Sequence, residues 1–301
     1  MNAQRPTAAA AARPWPAPAK LNLFLLVLGR RPDGYHELQT CFQFIDLCDD
    51  ISIEVRADGR IRRVIDIANV AEDADLCVRA ARALQTASGC PLGADISVLK
   101  RIPMGGGLGG GSSDAATCLV ALNCLWNLHW STDDLAALGL KLGADVPVFV
   151  RGRVAWAEGI GERLTPLYPP QAPAETNYLI LKPNIHVSTA EVFADPELTR
   201  NSAPITIQGF LASGGRNDCV GIVRRRYPEV ARALDWLSAY GEARLTGTGA
   251  CIFLDCETAD RGREIIGKLP PAFDAFLARG LNDSPLLERL ATGRELAARV
   301  R

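Results

Sequence analysis

The sequence predicts a protein of mixed helices and strands, built as one large domain or two medium ones. Three observations predict it. Segments with period-2 apolar alternation are interleaved with segments of helical character along the chain. A glycine-rich loop joins a strand to a helix at 103–117. The composition turns to Pro and Ala at 166–176, where a domain boundary is expected. The expected division is 1–14 as a disordered N-terminal extension of Ala, Pro and Arg, 15–165 as one domain and 166–301 as the other.

Ala19 to Leu26 reads as the first strand, with Lys20 and Asn22 on one face and Leu21, Leu23 and Leu25 on the other. Pro32-Asp33-Gly34 marks a turn. Ile51, Ile53 and Val55 alternate with polar residues in a half-buried strand. Asp75 to Gln85 reads as a helix, and Asp95 to Leu99 as the strand that feeds the glycine loop. Ser112, Ser113 and Asp114 are suited to capping the next helix. Thr132 is expected to cap a helix running to Leu142, with Gly143 as its left-handed C-cap. Pro147 disfavours helical geometry at Val146, so Asp145 is expected in a tight connection before a strand at Val148 to Val150. After the boundary come a strand at Tyr178 to Lys182, a second Gly-rich turn at Arg244 to Ala250 and a strand at Cys251 to Leu254.

The loop P-M-G-G-G-L-G-G-G-S-S-D-A-A-T has six glycines in fifteen residues. So much glycine offers backbone N–H groups and close approach rather than side chains. Such a loop at a helix N-terminus is an anion site, suited to a nucleotide phosphate. It lacks the Lys of a Walker loop. Gly105, Gly107 and Gly110 match a dinucleotide fingerprint in form, but the acids some 20 residues on, Asp133 and Asp134, open a helix rather than end a strand. A flexible surface loop does not account for its place between a strand and a helix.

Bulk properties exclude several function classes. With 48% hydrophobic and 22% charged residues the composition is that of a globular protein. The net charge of −1 argues against a nucleic acid partner, and Arg224-Arg225-Arg226 reads as a solvated helix face. No apolar run is long enough to suggest a membrane span. The nine Cys include no C-x-x-C and mostly lie in apolar runs, which points to buried thiols in a reducing cytoplasm. Three His make a His-based metal site improbable, and no protein metal ligand is assigned. His129 and His186 read as structural.

Together these pieces resemble the GHMP kinase superfamily. The glycine loop matches its phosphate motif, and Leu245 to Ala250 its C-terminal Gly-rich motif. More narrowly the chain resembles the branch that phosphorylates a diphosphocytidyl methylerythritol in non-mevalonate isoprenoid precursor biosynthesis. Pro18 to Leu23, Arg31 to His36, Gly143 to Pro147, Ser188 to Phe193 and Leu245 to Gly249 carry that likeness, over about residues 15 to 290.

The resemblance implies a two-domain α+β fold with ATP and substrate in the interdomain cleft, and transfer to the 2-hydroxyl of a small molecule carrying cytidine diphosphate. It implies that Pro103, Gly105, Gly106, Gly107, Leu108, Gly109, Gly110, Gly111, Ser112 and Ser113 hold the ATP phosphates. Asp145 would take the hydroxyl proton, Lys20 would orient it and meet the γ-phosphoryl charge, and Asn22 would bind substrate near the reacting group. Mg²⁺ would bridge the phosphates with few protein ligands. Tyr35 and Phe193 would sandwich the cytosine and His36 would read its edge, with Lys182, Thr189, Gly247 and Thr248 nearby. Relatives often have Asn where Asp75 stands beside adenine. An acid only accepts there, so Lys100 is expected to share that task. The alternatives are a homoserine- or mevalonate-type kinase, which would leave the aromatic pair without purpose, and a catalytically silent relative, against which the intact Lys20 and Asp145 count.

Overall fold

One long strand organises the molecule. In the computed structural model, which describes residues 13–68 and 70–299, β2 (His36–Arg56) borders four other strands. It pairs antiparallel with β1 (Trp15–Arg30) along nearly its whole length. The other three are β4 (Gly93–Leu99), β5 (Ala155–Gly159) and β10 (Phe273–Leu281). The edge strand β3 (Ile61–Arg63) runs parallel to β4, and β6 (Arg163–Pro166) continues from β5. Beyond β10 the sheet continues through β7 (Asn177–Pro183) and β9 (Ile252–Asp255) to β8 (Arg244–Leu245). Among the described residues the ten strands form one sheet, mixed with ten α-helices and a 3-10 turn at Glu72–Ala74 in an α+β arrangement. Most residues 1–14 of the expected extension, namely 1–12, lie outside the described residues.

The helices begin and end where local chemistry allows. Asp75 caps α1 (Leu76–Ser88) by accepting from the Cys77 N–H, and left-handed Gly89 closes it. α2 (Gly110–Leu125) is buried on nearly every side, as its run of small and apolar residues requires. Its N-cap is Gly109 in the left-handed region, not Ser112, Ser113 or Asp114. Those three lie in its first two turns because the close packing of the loop extends the helix back to Gly110. α3 (Thr132–Leu140) is capped by Ser131 rather than Thr132 and ends at Lys141 with right-handed geometry. Gly143 is therefore not a left-handed cap.

The expected strand at 148–150 is instead the short helix α4 (Val146–Arg151). Pro147 falls in its first turn, where the missing N–H has no intrahelical partner to lose and the fixed φ suits a helix. The remaining helices are α5 (Thr189–Ala194), α6 (Ile207–Ser213), α7 (Val220–Arg226), α8 (Pro228–Ser238), α9 (Ala259–Ile266) and α10 (Pro285–Arg299). The three arginines that end α7 are not a simple solvated face. Arg225 and Arg226 converge on buried Asp195, and Arg224 pairs with Asp235.

Three apolar clusters fill the fold. One lies between the sheet and α1 to α4, and a second packs α7 and α8 on β7 and β9. The third joins Leu21 and Phe24 of β1 to Tyr178, Ile180 and Phe253 from the other half. Each fully buried Phe or Leu contributes about 1.5–3 kcal/mol by leaving water, so β1 is held in place from both sides. That fixes the strand that carries Lys20 and Asn22.

Candidate active site

Lys20 and Asn22 point the same way from β1 because strand side chains alternate, and both are buried. Lys20 Nζ donates to Asn22 Oδ1 and to the Gly107 carbonyl at 3.0 Å, and stands 3.5 Å from Asp145 Oδ2. The Phe42 ring lies beneath it at 5.3 Å. Asn22 is fixed in turn, its Nδ2 donating to Thr40 Oγ1 and its backbone N–H to Thr246 Oγ1. Asp145 occupies the N-cap position of α4 but its carboxylate makes no cap bond, and a third of the side chain is exposed. It is therefore free to meet a ligand.

The glycine loop is bound to the second Gly-rich turn through the backbone. Ala250 and Cys251 N–H donate to the carbonyls of Gly105 and Gly106, and Thr246 Oγ1 to that of Gly107. Gly107 has φ +76°, and a Cβ there would lie 2.3 Å from the Thr246 carbonyl oxygen. At Gly109, φ +73°, a Cβ would meet Phe149 at 2.8 Å and the Lys20 stem at 3.1 Å. The loop thus comes close to the catalytic candidates only because these positions are glycine.

These groups open into one cleft of about 1040 Å³. Pro103, Gly105 to Gly111, Leu108 and Ser112 line it, as do Lys20, Asn22 and Asp145. Lys100 and Asp75 line it near the loop, and Tyr35, His36, Phe193, Thr189, Gly247 and Thr248 line it too. Thr189 and Thr248 hydroxyls are 2.8 Å apart. Two expected residues are not in the lining. Ser113 is fully buried on the inner face of α2. Lys182 lies on β7 and reaches Asp274 at 3.7 Å.

Tyr35 is the most exposed of the three base-reading candidates, at 59%, just after the Asp33-Gly34 turn. His36 is buried at the start of β2 and stacks on Phe193, with ring centroids 5.1 Å apart at 28°. Its Nε2 accepts from Arg200 Nε at 2.9 Å. Burial, then the Arg200 and Arg30 charges, hold its pKa below the usual histidine value.

The acid at position 75 has two structural partners. One carboxylate oxygen caps α1, and the other accepts from buried Arg63 at 3.2 Å. Asp75→Asn would leave Arg63 with a weaker partner in a buried place. The variant is expected to melt a few degrees below wild type by differential scanning fluorimetry, whatever it does to nucleotide binding. An unchanged melting temperature would contradict this.

Lys100 is shared by two carboxylates. It donates to Asp49 and, at 2.7 Å, to Asp114. Asp49 also accepts from the Ile102 N–H at 2.8 Å, whereas Asp114 Oδ1 is buried with no hydrogen-bond partner among the described residues. Burial therefore pushes the Asp114 carboxyl up to about 7, against the pull of Lys100 and with help from the Asp49 charge. The folded state holds this proton more tightly than the unfolded chain does. Asp114 thus contributes a loss of stability as pH rises from about 4, the ordinary carboxylate value, to about 7. Asp114→Asn should remove that loss, so its melting temperature relative to wild type should be higher at pH 8 than at pH 5. A constant difference across this range would refute the assignment.

Of the residues that shape the site, sequence reasoning missed Arg200, Thr40, Phe42, Asp49 and Asn217. Asn217 donates to the carbonyls of Leu245 and Gly247 and so braces the second turn. None lies in a motif with its own signal. Thr246 lay within the quoted motif, and its hydroxyl bonding could have been anticipated.

Comparison with known proteins gives consistent matches. Residues 75–153 match the GHMP kinases N terminal domain, and residues 210–275 the GHMP kinases C terminal family. A relative from Alkalilimnicola ehrlichii is 55% identical over 95% of this chain and 97% of its own length, and one from Shewanella denitrificans 53% over 92% and 96%. Both are named 4-diphosphocytidyl-2-C-methyl-D-erythritol kinase. A crystal structure of 4-(cytidine 5'-diphospho)-2C-methyl-D-erythritol kinase is 34% identical, with TM-score 0.75, over 88% of this chain and 98% of that one. A homoserine kinase structure from Cytophaga hutchinsonii, 14% identical with TM-score 0.69 over 94% and 98%, shares the fold.

Proposed function

The chain belongs to the GHMP kinases and, within them, to the 4-diphosphocytidyl-2-C-methyl-D-erythritol kinases; from that membership and the cleft geometry we propose that it transfers the ATP γ-phosphoryl group to the 2-hydroxyl of 4-diphosphocytidyl-2-C-methyl-D-erythritol. This is a step toward isoprenoid precursors. The observation that carries the reading is the convergence of Lys20, Asp145 and the Gly107 carbonyl in a cleft that Tyr35, His36 and Phe193 also line.

Phosphoryl transfer passes through a loose, charge-dispersed transition state, so positioning and electrostatics do most of the work. Backbone N–H groups of the glycine loop and the N-terminus of α2 bind the phosphates. Asp145 accepts the proton of the attacking 2-hydroxyl, which frees its oxygen to bond phosphorus as the bond to the leaving ADP oxygen breaks. In such a transition state the hydroxyl proton leaves late, so aim matters more than basicity. Lys20, already fixed by Asn22 and Gly107, holds Asp145 and neutralises the moving charge. Tyr35 and Phe193 hold the cytosine between aromatic faces, and His36 meets its edge.

Mg²⁺ would sit beside the phosphates at the glycine loop, where it would offset their charge. Among the described residues no three acidic, His or Cys side chains cluster to hold a metal. Ser112 is the side chain that would meet it, with phosphate oxygens and water supplying the other ligands. Ser112 Oγ lies beside the 143–145 turn, 3.7 Å from where a Gly143 Cβ would stand. No helix among the described residues is long and apolar enough to cross a membrane. Nine free thiols accord with work in a reducing cytoplasm.

The test is an initial-rate assay of ADP release with Mg·ATP and four acceptor conditions: the diphosphocytidyl substrate, mevalonate, homoserine and none. Turnover is expected only with the first. Equal turnover with mevalonate or homoserine would leave the aromatic pair without a role, and ATP binding without turnover on any acceptor would favour a silent relative.

A further inference from the structure

The two ring nitrogens of His36 have different surroundings. Nε2 accepts from Arg200 Nε at 2.9 Å. A guanidinium has donors only and keeps its proton. Nε2 therefore carries the lone pair, and the one proton of the neutral ring sits on Nδ1. A second proton on Nε2 would set two donors face to face beside two cations, Arg200 and Arg30, which resist protonation of the ring along with its burial. Nδ1 has no hydrogen-bond partner among the described residues and is not among the sealed-off atoms. It is the polar atom that this ring, part of the cleft wall, has left to offer.

Arg200 is itself held in place. Its Nη2 donates to the carbonyls of Phe193 and Asp195, both at 2.8 Å, and its Nη1 to that of Leu198 at 3.2 Å. Two of these carbonyls end α5, the helix that carries Phe193. One guanidinium thus fixes both the aromatic ring stacked on His36 and the proton on His36.

We propose that Arg200 is a positioning residue that locks His36 as the Nδ1–H tautomer and thereby selects cytosine over uracil. The proposal rests on the reading of this end of the cleft as a cytidine site. An Nδ1–H donor aimed at N3 of the base tells the two pyrimidines apart: N3 is an acceptor in cytosine, whereas O2 accepts in both and carries no discrimination. Uracil carries N3–H there instead, so two donors would oppose each other and the contact would lose its hydrogen bond. A free histidine could change tautomer to suit uracil. One pinned by a permanent donor cannot.

The test has two parts. The first is ¹⁵N NMR of the imidazoles in ligand-free protein at pH 7. Only three histidines are present, so His36→Asn assigns the signal. A neutral ring with Nε2 unprotonated is expected in wild type, and a mixture of tautomers with easier protonation in Arg200→Leu. The second is inhibition by CDP against UDP. Wild type should prefer CDP by roughly ten-fold or more, the equivalent of one good hydrogen bond. Arg200→Leu should lose most of that preference with KM for ATP unchanged, and Arg200→Lys, which keeps a donor, should recover part of it. A wild-type His36 protonated on Nε2 would overturn the lock, and needs no variant to fold. Undiminished CDP preference in Arg200→Leu would overturn the selective role. The expected tautomer with no CDP preference in wild type would overturn selection by pointing to failure of the cytidine reading itself, since the tautomer is measured without any ligand.

Discussion

Asp145→Asn is expected to lower kcat by roughly 10²-fold or more while KM for ATP changes little. The amide matches the carboxylate in shape but cannot take a proton, so nucleotide binding should survive and transfer should not. Two features of the site support this. The carboxylate makes no helix-capping bond, and its ion-pair partner Lys20 is held independently by Asn22 and Gly107. The substitution therefore removes a chemical group without removing a structural support. Single-turnover kinetics would separate transfer from product release. A variant with near-normal transfer would remove Asp145 from the reaction.

Gly107→Ala should be at least as damaging, for a different reason. The residue sits at φ +76°, where an L side chain is strained, and its Cβ would lie 2.3 Å from the Thr246 carbonyl and 3.1 Å from that of Gly249. Both neighbours are backbone, so one of the two Gly-rich segments must move. The Gly107 carbonyl accepts from Lys20, so any shift also releases the lysine. Displacement of this kind by about 1 Å costs on the order of 10²-fold in rate. A loss of that size or more in kcat/KM for ATP, with a lower melting temperature, is the expected result. Gly29→Ala is the control: no atom lies within 4 Å of its Cβ and it is not in the cleft wall, so it should behave as wild type. Normal ATP kinetics in Gly107→Ala would show that the loop tolerates what its geometry forbids.

Much of the site was legible in the sequence because its chemistry is local. The period of two in β1 put Lys20 and Asn22 on one face, and the glycine loop announced an anion site by composition alone. The lysine and the aspartate meet across a sequence separation that no periodicity reports, and the resemblance supplied that pairing. Asp145 was misplaced before a strand because Pro147 was weighed for its effect on the preceding residue, while its tolerance in a helical first turn decided the outcome. The start of α2 was misjudged for a related reason. Serines and an aspartate are good caps in isolation, but the tight seat of Gly109 against Phe149 and Lys20 sets the boundary. Arg200 and Asp49 gave no signal, since each matters only through partners far along the chain. Asp75 gave an incomplete one: beside its place in the cleft wall, the fold uses its two oxygens for a helix cap and a buried arginine.

Transfer to one hydroxyl of one acceptor is read out by ³¹P NMR of the product. The protein would be incubated with Mg·ATP and 4-diphosphocytidyl-2-C-methyl-D-erythritol, and the new phosphorus signal assigned by its coupling to the methylerythritol carbons. A single phosphomonoester on the 2-oxygen, formed in step with ADP, is the predicted result. ADP formed with inorganic phosphate, or a phosphate on another hydroxyl, would contradict the account.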